Sequence, residues 1–193
     1  NPLIRQSVTL DRLGYVLMEQ GRYEEAIQAF SAAIEAEPHR GRPYSGQGEA
    51  YLRQEVQVER ALKLVRWGLG HRRRTIVSRL LGRRELGEMW ANLAWAQALL
   101  GRRAQAEEAL EWAFKEADRG FRPGMAALHF RAGVVLYLLG QRTAATDHFT
   151  QARRIDPIGL YGDLSAHAQD EIERNWRETL AAHRGPQSVG EST

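Results

Sequence analysis

Apolar side chains recur along this chain at intervals of three and four residues, with polar side chains between them. The first run places Leu10, Leu13 and Leu17 on one stripe, and the run from Ala26 to Ala33 repeats the spacing. Such spacing is typical of an α-helix that buries one face. The pattern predicts eight helices, at about 7–20, 23–36, 41–54, 57–69, 87–100, 103–118, 124–139 and 142–155.

Glycine and proline divide these helices into pairs. Gly21, Gly101 and Gly140 each follow the first helix of a pair, where the chain often needs a positive φ that glycine adopts without steric cost. Pro38 and Pro157 follow the second helices of two pairs, because proline cannot donate the next helical hydrogen bond. The chain is therefore predicted to be a series of helical hairpins.

The hairpins follow a repeat of 34 residues. A frame that starts at Ser7 places large, small and helix-ending residues at Leu10, Leu13, Gly14, Leu17, Ala26, Phe30, Ala33 and Pro38. The same frame started at Ala126 gives Gly133, Leu136, Ala145, Phe149, Ala152 and Pro157. Frames from Gly41 and Gly87 match at fewer positions, and the frame from Gly41 needs one extra residue in its turn.

This pattern resembles the tetratricopeptide repeat, a helix–turn–helix unit of 34 residues. The resemblance covers about residues 7–157 and implies an all-α fold, a right-handed superhelix of helical hairpins. We predict units at about 7–40, 41–75, 87–120 and 126–159.

The C-terminal part departs from the repeat. From Leu160 to His183 a single apolar stripe contains Tyr161, Leu164, Ala168, Ile172, Trp176 and Leu180. We predict a capping helix over about 160–184, which solvates the end of the stack. Residues 185–193 have little to bury and are predicted to be a mobile tail.

A basic insertion at about 70–86 lengthens the connection between the second and third units. The stretch from Arg60 to Arg84 holds nine basic residues and no acidic one, in a chain of net charge +3. This stretch is an alternative binding site, for an anionic partner such as nucleic acid or an acidic protein surface. Trp67 is the one aromatic residue nearby, which argues against base stacking. The candidate anion-binding residues are Arg72, Arg73, Arg74, Arg79, Arg83 and Arg84.

Residues that carry out chemistry are scarce in the sequence. The absence of cysteine excludes disulfides, thiolate zinc sites and cysteine nucleophiles. The six histidines show no metal-ligand spacing, and there is no phosphate-binding loop or nucleophile elbow. We predict no catalytic residues, no metal site and no cofactor.

The family resemblance implies that the first helices of successive hairpins line a concave groove that receives a peptide or a helix. The residues carried over to that groove are Tyr15, Met18, Glu49, Leu52, Arg53, Trp95, Leu99, Phe130, Val134 and Tyr137. The predicted function is a non-catalytic scaffold for another protein, or for a segment of its own parent chain. In the alternative, the C-terminal helix or a tight superhelix already covers the groove, and Trp95 and Phe130 belong to the core.

No run of residues approaches the roughly 18 apolar residues that a membrane span needs. The chain begins at Asn1 without an initiator methionine, which predicts an excised domain or a processed product. Localisation is unknown from the sequence, and the cytoplasm is the default expectation.

Overall fold

The computed structural model describes residues 2–72, 83–117 and 122–183. Within these ranges the regular structure is entirely α-helical, which confirms the predicted fold class. The helices are α1 (Pro2–Glu19), α2 (Tyr23–Ala36), α3 (Gly41–Arg53), α4 (Val58–Arg72), α5 (Arg83–Leu99), α6 (Arg103–Glu116), α7 (Arg122–Leu138), α8 (Arg142–Ile155) and α9 (Leu160–His183).

Successive helices pack as four hairpins, α1 with α2, α3 with α4, α5 with α6, and α7 with α8. In each pair the first helix also packs against the first helix of the next pair, so the hairpins stack in chain order. Helix α9 packs against α8 and α7. Below, α1, α3, α5 and α7 are called the first helices, and α2, α4, α6 and α8 the second helices.

Three of the hairpin turns share one geometry. Gly21, Gly101 and Gly140 have φ angles of 72°, 70° and 78°, in the left-handed region that glycine adopts freely. In the turn between α3 and α4, which is one residue longer, the positive φ angles belong to Glu55 and Gln57. The extra residue that the repeat frame required therefore lies in this turn.

Glycines allow the helices to cross closely. A Cβ atom on Gly14 of α1 or on Gly46 of α3 would each lie 2.6 Å from the ring of Phe30 on α2. In the last hairpin, a Cβ on Gly133 would lie 2.5 Å from the ring of Phe149. In the first and last hairpins, glycine thus makes room for a large aromatic ring at the helix crossing.

The observed helix ends differ from the predicted ends at several places. Helix α1 begins at Pro2 rather than near residue 7, and both helices beside the basic insertion extend into it, α4 to Arg72 and α5 from Arg83. Most of the predicted insertion, and all of the tail 185–193, lie outside the described residues. Among the described helices, none combines the length and the apolar character that crossing a bilayer requires.

Candidate functional site

A buried carboxylate joins the first helices. Glu49 on α3 accepts a hydrogen bond from Arg131 on α7 at 2.7 Å and from Arg53, one turn along α3, at 2.8 Å. The side chain of Glu49 is 1 % exposed and that of Arg131 is 0 % exposed. Residues 82 positions apart in the sequence therefore form one ion pair in the interior.

Helix α5 contributes to the same cluster. Asn92 donates to Ser45 Oγ and to Glu49 Oε2, at 3.3 Å each, and Glu88 lies 3.5 Å from the Arg131 guanidinium. Three consecutive first helices are thus joined through polar side chains. We call Ser45, Glu49, Arg53, Glu88, Asn92 and Arg131 the inner polar cluster.

Glu49, Arg53 and Arg131 are ionised at neutral pH. Burial opposes ionisation of Glu49, but the charges of Arg131 and Arg53 and their hydrogen bonds outweigh burial and lower its pKa to about 2. Burial lowers the pKa of Arg131, but the charge of Glu49 and its hydrogen bond raise it. The net effect is a pKa well above the ordinary value for arginine. Two donors of Arg131, Nε and Nη1, are buried and have no hydrogen-bond partner among the described residues.

A second buried carboxylate lies at the N-terminal end of the array. Asp11 on α1 accepts hydrogen bonds from Arg40 at 2.8 Å and from Arg42 at 2.7 Å. The Arg42 guanidinium also lies over the ring of Tyr15, 4.3 Å from its centroid. Burial raises the pKa of the Tyr15 hydroxyl, so Tyr15 is a neutral phenol beside these charges.

The predicted groove residues divide by exposure. Five of them are buried: Met18, Glu49, Leu52, Trp95 and Phe130. The other five are half-buried: Tyr15, Arg53, Leu99, Val134 and Tyr137. Within the second set the Arg53 side chain is itself only 7 % exposed, which leaves Tyr15, Leu99, Val134 and Tyr137 as the members that present side-chain surface to a partner. The binding role of all ten residues stays a prediction.

Helix α9 accounts for part of this burial. The ring of Tyr161 lies 5.9 Å from that of Phe130, and its hydroxyl is 3.5 Å from Arg131 Nη2. Phe130 also packs against Phe149, with ring centroids 6.1 Å apart. The burial of Phe130, and of Trp95 at 6 % exposure, favours the alternative that places both residues in the core. Sequence patterns did not indicate that Tyr161 approaches α7, because it lies 30 residues away on a helix outside the repeat.

The anion-binding alternative stays a prediction as well. Arg73, Arg74 and Arg79 lie outside the described residues, as do the side chains of Arg72, Arg83 and Arg84. On α4, Lys63 and Arg66 are exposed, and Trp67 lies between two other rings. Its ring centroid is 3.9 Å from that of Tyr44 and 3.3 Å from that of His71. Sequence spacing did not reveal this stack, because Tyr44 comes from α3.

Two histidines meet at the last hairpin. The Nδ1 atoms of His129 on α7 and His148 on α8 are 2.9 Å apart, so one ring donates and the other accepts. Phe114 of α6 packs against both rings. Burial, and the proximity of His148, lower the pKa of His129 to about 4. Within the described ranges no group of three histidine, aspartate or glutamate side chains is arranged to hold a metal ion.

This pair predicts a loss of stability in acid. The unfolded chain takes up a proton near pH 6.5, whereas folded His129 does not until about pH 4, so stability falls as the pH drops through that window. Because both rings are partly exposed, we expect a loss of about 1–2 kcal/mol. Urea unfolding of wild type and His129→Phe, at pH 6.5 and at about pH 4, measures this loss of stability. An equal pH dependence in the two proteins would contradict the prediction.

Sequence and structure comparisons identify relatives of the chain. Tetratricopeptide repeat models match residues 8–40 and residues 89–157. No curated protein sequence gave a significant match. Pseudomonas aeruginosa PilF superposes with a TM-score of 0.57 at 15 % identity, over 97 % of this chain and 80 % of PilF.

Two further solved structures are similar. TTC0263, a thermophilic TPR protein of Thermus thermophilus, has a TM-score of 0.57 and 21 % identity, over 95 % of this chain and 93 % of that protein. A chain of the APC/C hetero-tetramer Cut9–Hcn1 has a TM-score of 0.58 and 16 % identity, over 84 % of this chain but only 30 % of its own length. At these identities the likeness concerns the fold alone. Because the family models together match more than half of the sequence, and the described helices stack as repeated hairpins, the chain belongs to the tetratricopeptide repeat family.

Proposed function

We propose that this chain binds a peptide or an α-helix of a partner protein along the inner faces of its first helices. Its fold is that of protein–protein interaction scaffolds, which are generally non-catalytic. In such scaffolds, binding depends on surface shape and on a few anchoring side chains rather than on chemistry.

The observation that carries the proposal is a row of equivalent positions. Arg53, Leu99 and Leu138 occupy the same place in three successive repeat frames, near the end of α3, α5 and α7. Leu99 is half-buried and Leu138 is exposed, whereas the Arg53 side chain is only 7 % exposed and faces Glu49. Val134 and Tyr137 lie beside this row on α7 and are half-buried. A patch of aliphatic and aromatic side chains that spans α5 and α7 suits an extended or helical segment with apolar anchors.

The inner polar cluster supports this surface. Arg53 is fixed by its hydrogen bonds to Glu49, and Glu49 is itself held by Arg131. The helices that carry the row are therefore ordered before a partner arrives, and a rigid surface loses less conformational entropy on binding. The partner supplies the segment that becomes ordered.

To test this proposal, peptides from a random display library are selected for binding to the immobilised 193-residue chain. We expect Leu99→Glu and Tyr137→Ala to weaken binding of the selected peptides at least about tenfold, the equivalent of roughly 1.4 kcal/mol. Their melting temperatures should fall less than that of a core variant, because both side chains are half-buried at the edge of the core. Binding that both variants retain would contradict the proposal.

Two control variants separate binding from folding. Ile158→Ala changes a side chain that is 98 % exposed in the turn before α9, and it should leave peptide binding unaltered. Trp95→Ala removes a buried ring, and it should lower the melting temperature whether or not the surface binds a peptide. A variant that weakens binding through misfolding therefore behaves like Trp95→Ala and unlike Tyr137→Ala.

A further inference from the structure

The last hairpin has two histidines at positions that are aliphatic or aromatic in the other units. This histidine pair consists of His129 on α7 and His148 on α8, both half-buried, with Nδ1 atoms 2.9 Å apart. Counting in the repeat frame, the equivalents of His129 are Leu10, Tyr44 and Trp90, and those of His148 are Ala29, Leu64 and Ala109. The other hairpins therefore form without two imidazoles at these positions. Because the two histidines are 19 residues apart on different helices, no sequence motif indicated them.

The distance between the two Nδ1 atoms matches a metal site as well as a hydrogen bond. Imidazole nitrogens bind divalent transition metals at about 2.0–2.1 Å. Two such bonds at a right angle place the nitrogens about 2.8–3.0 Å apart, whereas a tetrahedral angle places them about 3.3–3.4 Å apart. The observed 2.9 Å fits the right angle. Adjacent ligands of a square-planar or tetragonal ion make this angle, and Cu²⁺ and Ni²⁺ favour that geometry.

Phe114 of α6 packs against both rings of the histidine pair. Its ring centroid is 5.4 Å from that of His129 and 5.4 Å from that of His148. The two imidazole centroids are 5.0 Å apart, and the helices that carry them pack as one hairpin. The fold thus brings the two nitrogens together in the absence of an ion. Binding of an ion therefore costs little conformational entropy.

We infer that the histidine pair binds a divalent transition metal ion, Ni²⁺ or Cu²⁺, through its two Nδ1 atoms as adjacent ligands. Among the described residues no third histidine or carboxylate is arranged to join them, so water completes the coordination. In the metal-free pair, one ring donates the proton on its Nδ1 to the Nδ1 of the other ring. On binding, that proton moves to Nε2 of the same ring, and both rings turn about their Cβ–Cγ bonds until their lone pairs point at the ion. No net proton is released, and two metal–nitrogen bonds replace one hydrogen bond.

The surroundings of the pair suit a hydrated cation. His148 borders a cavity of about 450 Å³ that α6, α7 and α8 line together, and Glu107 and Glu111 also line it. Arg103 pairs with Glu107, whereas Glu111 is exposed. Burial lowers the pKa of His148 but the charge of Asp147 raises it, so a negative field reaches the ring. Room for water and nearby carboxylates both favour a divalent cation over an anion.

Titration calorimetry of the metal-free chain at neutral pH, without a histidine tag, tests the inference. We expect one Ni²⁺ or Cu²⁺ ion to bind per chain, and Zn²⁺ to bind more weakly than either. An ion concentration about 100-fold above the dissociation constant should raise the melting temperature by at least about 3 °C, because the ion binds the folded state. The electron paramagnetic resonance spectrum of the Cu²⁺ complex should show two coordinated nitrogens.

The repeat frame supplies variants that should keep the hairpin folded. Leucine takes the place of His129 in the first unit, and alanine takes the place of His148 in the first and third units. His129→Leu and His148→Ala should each weaken binding of the ion at least about tenfold, because each removes one of two protein ligands. The matched control is His39→Gln, which separates another pair of neighbouring rings. The centroids of His39 and His71 are 5.9 Å apart, and this variant should bind the ion unchanged.

Three outcomes overturn the inference. Binding that survives both His129→Leu and His148→Ala would show that the ion lies elsewhere. An equal loss in His39→Gln would identify adventitious binding to surface histidines. Tighter binding of Zn²⁺ than of Ni²⁺ would contradict the right-angle geometry. None of these outcomes bears on the peptide-binding proposal, whose variants change Leu99 and Tyr137.

Discussion

Replacing Glu49 with alanine lowers the free energy of unfolding by about 3–5 kcal/mol, because it removes the nearest carboxylate from the buried Arg131 and leaves only the partly exposed Glu88, 3.5 Å away. Arg131 is fully buried, and two of its donors already lack a hydrogen-bond partner among the described residues. Removing the carboxylate would deprive it of its 2.7 Å ion pair as well. Chemical denaturation of wild type and Glu49→Ala at pH 7 measures the difference.

A surface ion pair is the matched control. Arg102 and Glu59 are also 2.7 Å apart, but their side chains are 39 % and 58 % exposed. Glu59→Ala should therefore cost no more than about 1 kcal/mol. The double variant Glu49→Leu with Arg131→Met removes both buried charges, and it should be more stable than Glu49→Ala alone. If Glu49→Ala and Glu59→Ala had the same small effect, Glu49 would not stabilise the interior.

The pKa of Glu49 gives the same prediction a pH dependence. Its pKa of about 2 in the folded protein lies below the ordinary value of 4.5, so the carboxylate contributes stability above pH 4.5. That contribution declines as the pH falls through 4.5 toward 2. Glu49→Ala should lack the loss of stability that protonation of Glu49 causes in the wild type. Acid titrations of wild type and Glu49→Ala, followed by circular dichroism, measure this difference.

Phe30→Ala lowers the free energy of unfolding by about 3–5 kcal/mol, because it leaves a cavity at the crossing of three helices. The ring is fully buried, and the same ring edge faces Gly14 on α1 and Gly46 on α3. It also makes an edge-to-face contact with Tyr15, with centroids 5.2 Å apart. Thermal and urea unfolding both measure the loss, which should appear as a lower midpoint.

Two glycines, Gly14 beside Phe30 and Gly70 on the exposed side of α4, should respond to the same substitution with opposite signs. In a solvent-exposed helix, replacing glycine with alanine adds up to about 1 kcal/mol of stability. Gly70 on α4 has open space where a Cβ would lie, so Gly70→Ala should stabilise. Gly14→Ala should destabilise by about 1–3 kcal/mol, because the wedged ring has little room to shift. Stabilisation by both substitutions would refute the tight crossing.

Local chemistry made most of the fold predictable. Helix periodicity, the turn glycines and the prolines act over a few residues, so they identified the hairpins and the longer turn between α3 and α4. The predicted helix ends were wrong where the sequence contains no strong capping or helix-breaking residue. Pro2 starts α1 ahead of the repeat frame, as proline can in a first helical turn, and Arg72 and Arg83 continue α4 and α5 into the basic insertion.

The candidate site was less predictable from the sequence. A polar residue on the inner side of a repeat array can either face a partner or pair with another residue of the chain. Glu49 and Arg53 were expected to face a partner, but they face Arg131 and each other. Met18, Leu52 and Trp95 were expected in the groove and are buried. The repeat frame assigns a residue to a face of its helix, but how far that face is covered depends on neighbouring helices.

The sequence by itself determined the helical hairpins, their order and the family, because each depends on contacts within one repeat of the chain. The tertiary structure decided which polar groups are paired, which groove residues remain accessible, and that α9 covers part of α7. Those features depend on residues that are distant in sequence, such as Glu49 and Arg131, or Phe130 and Tyr161.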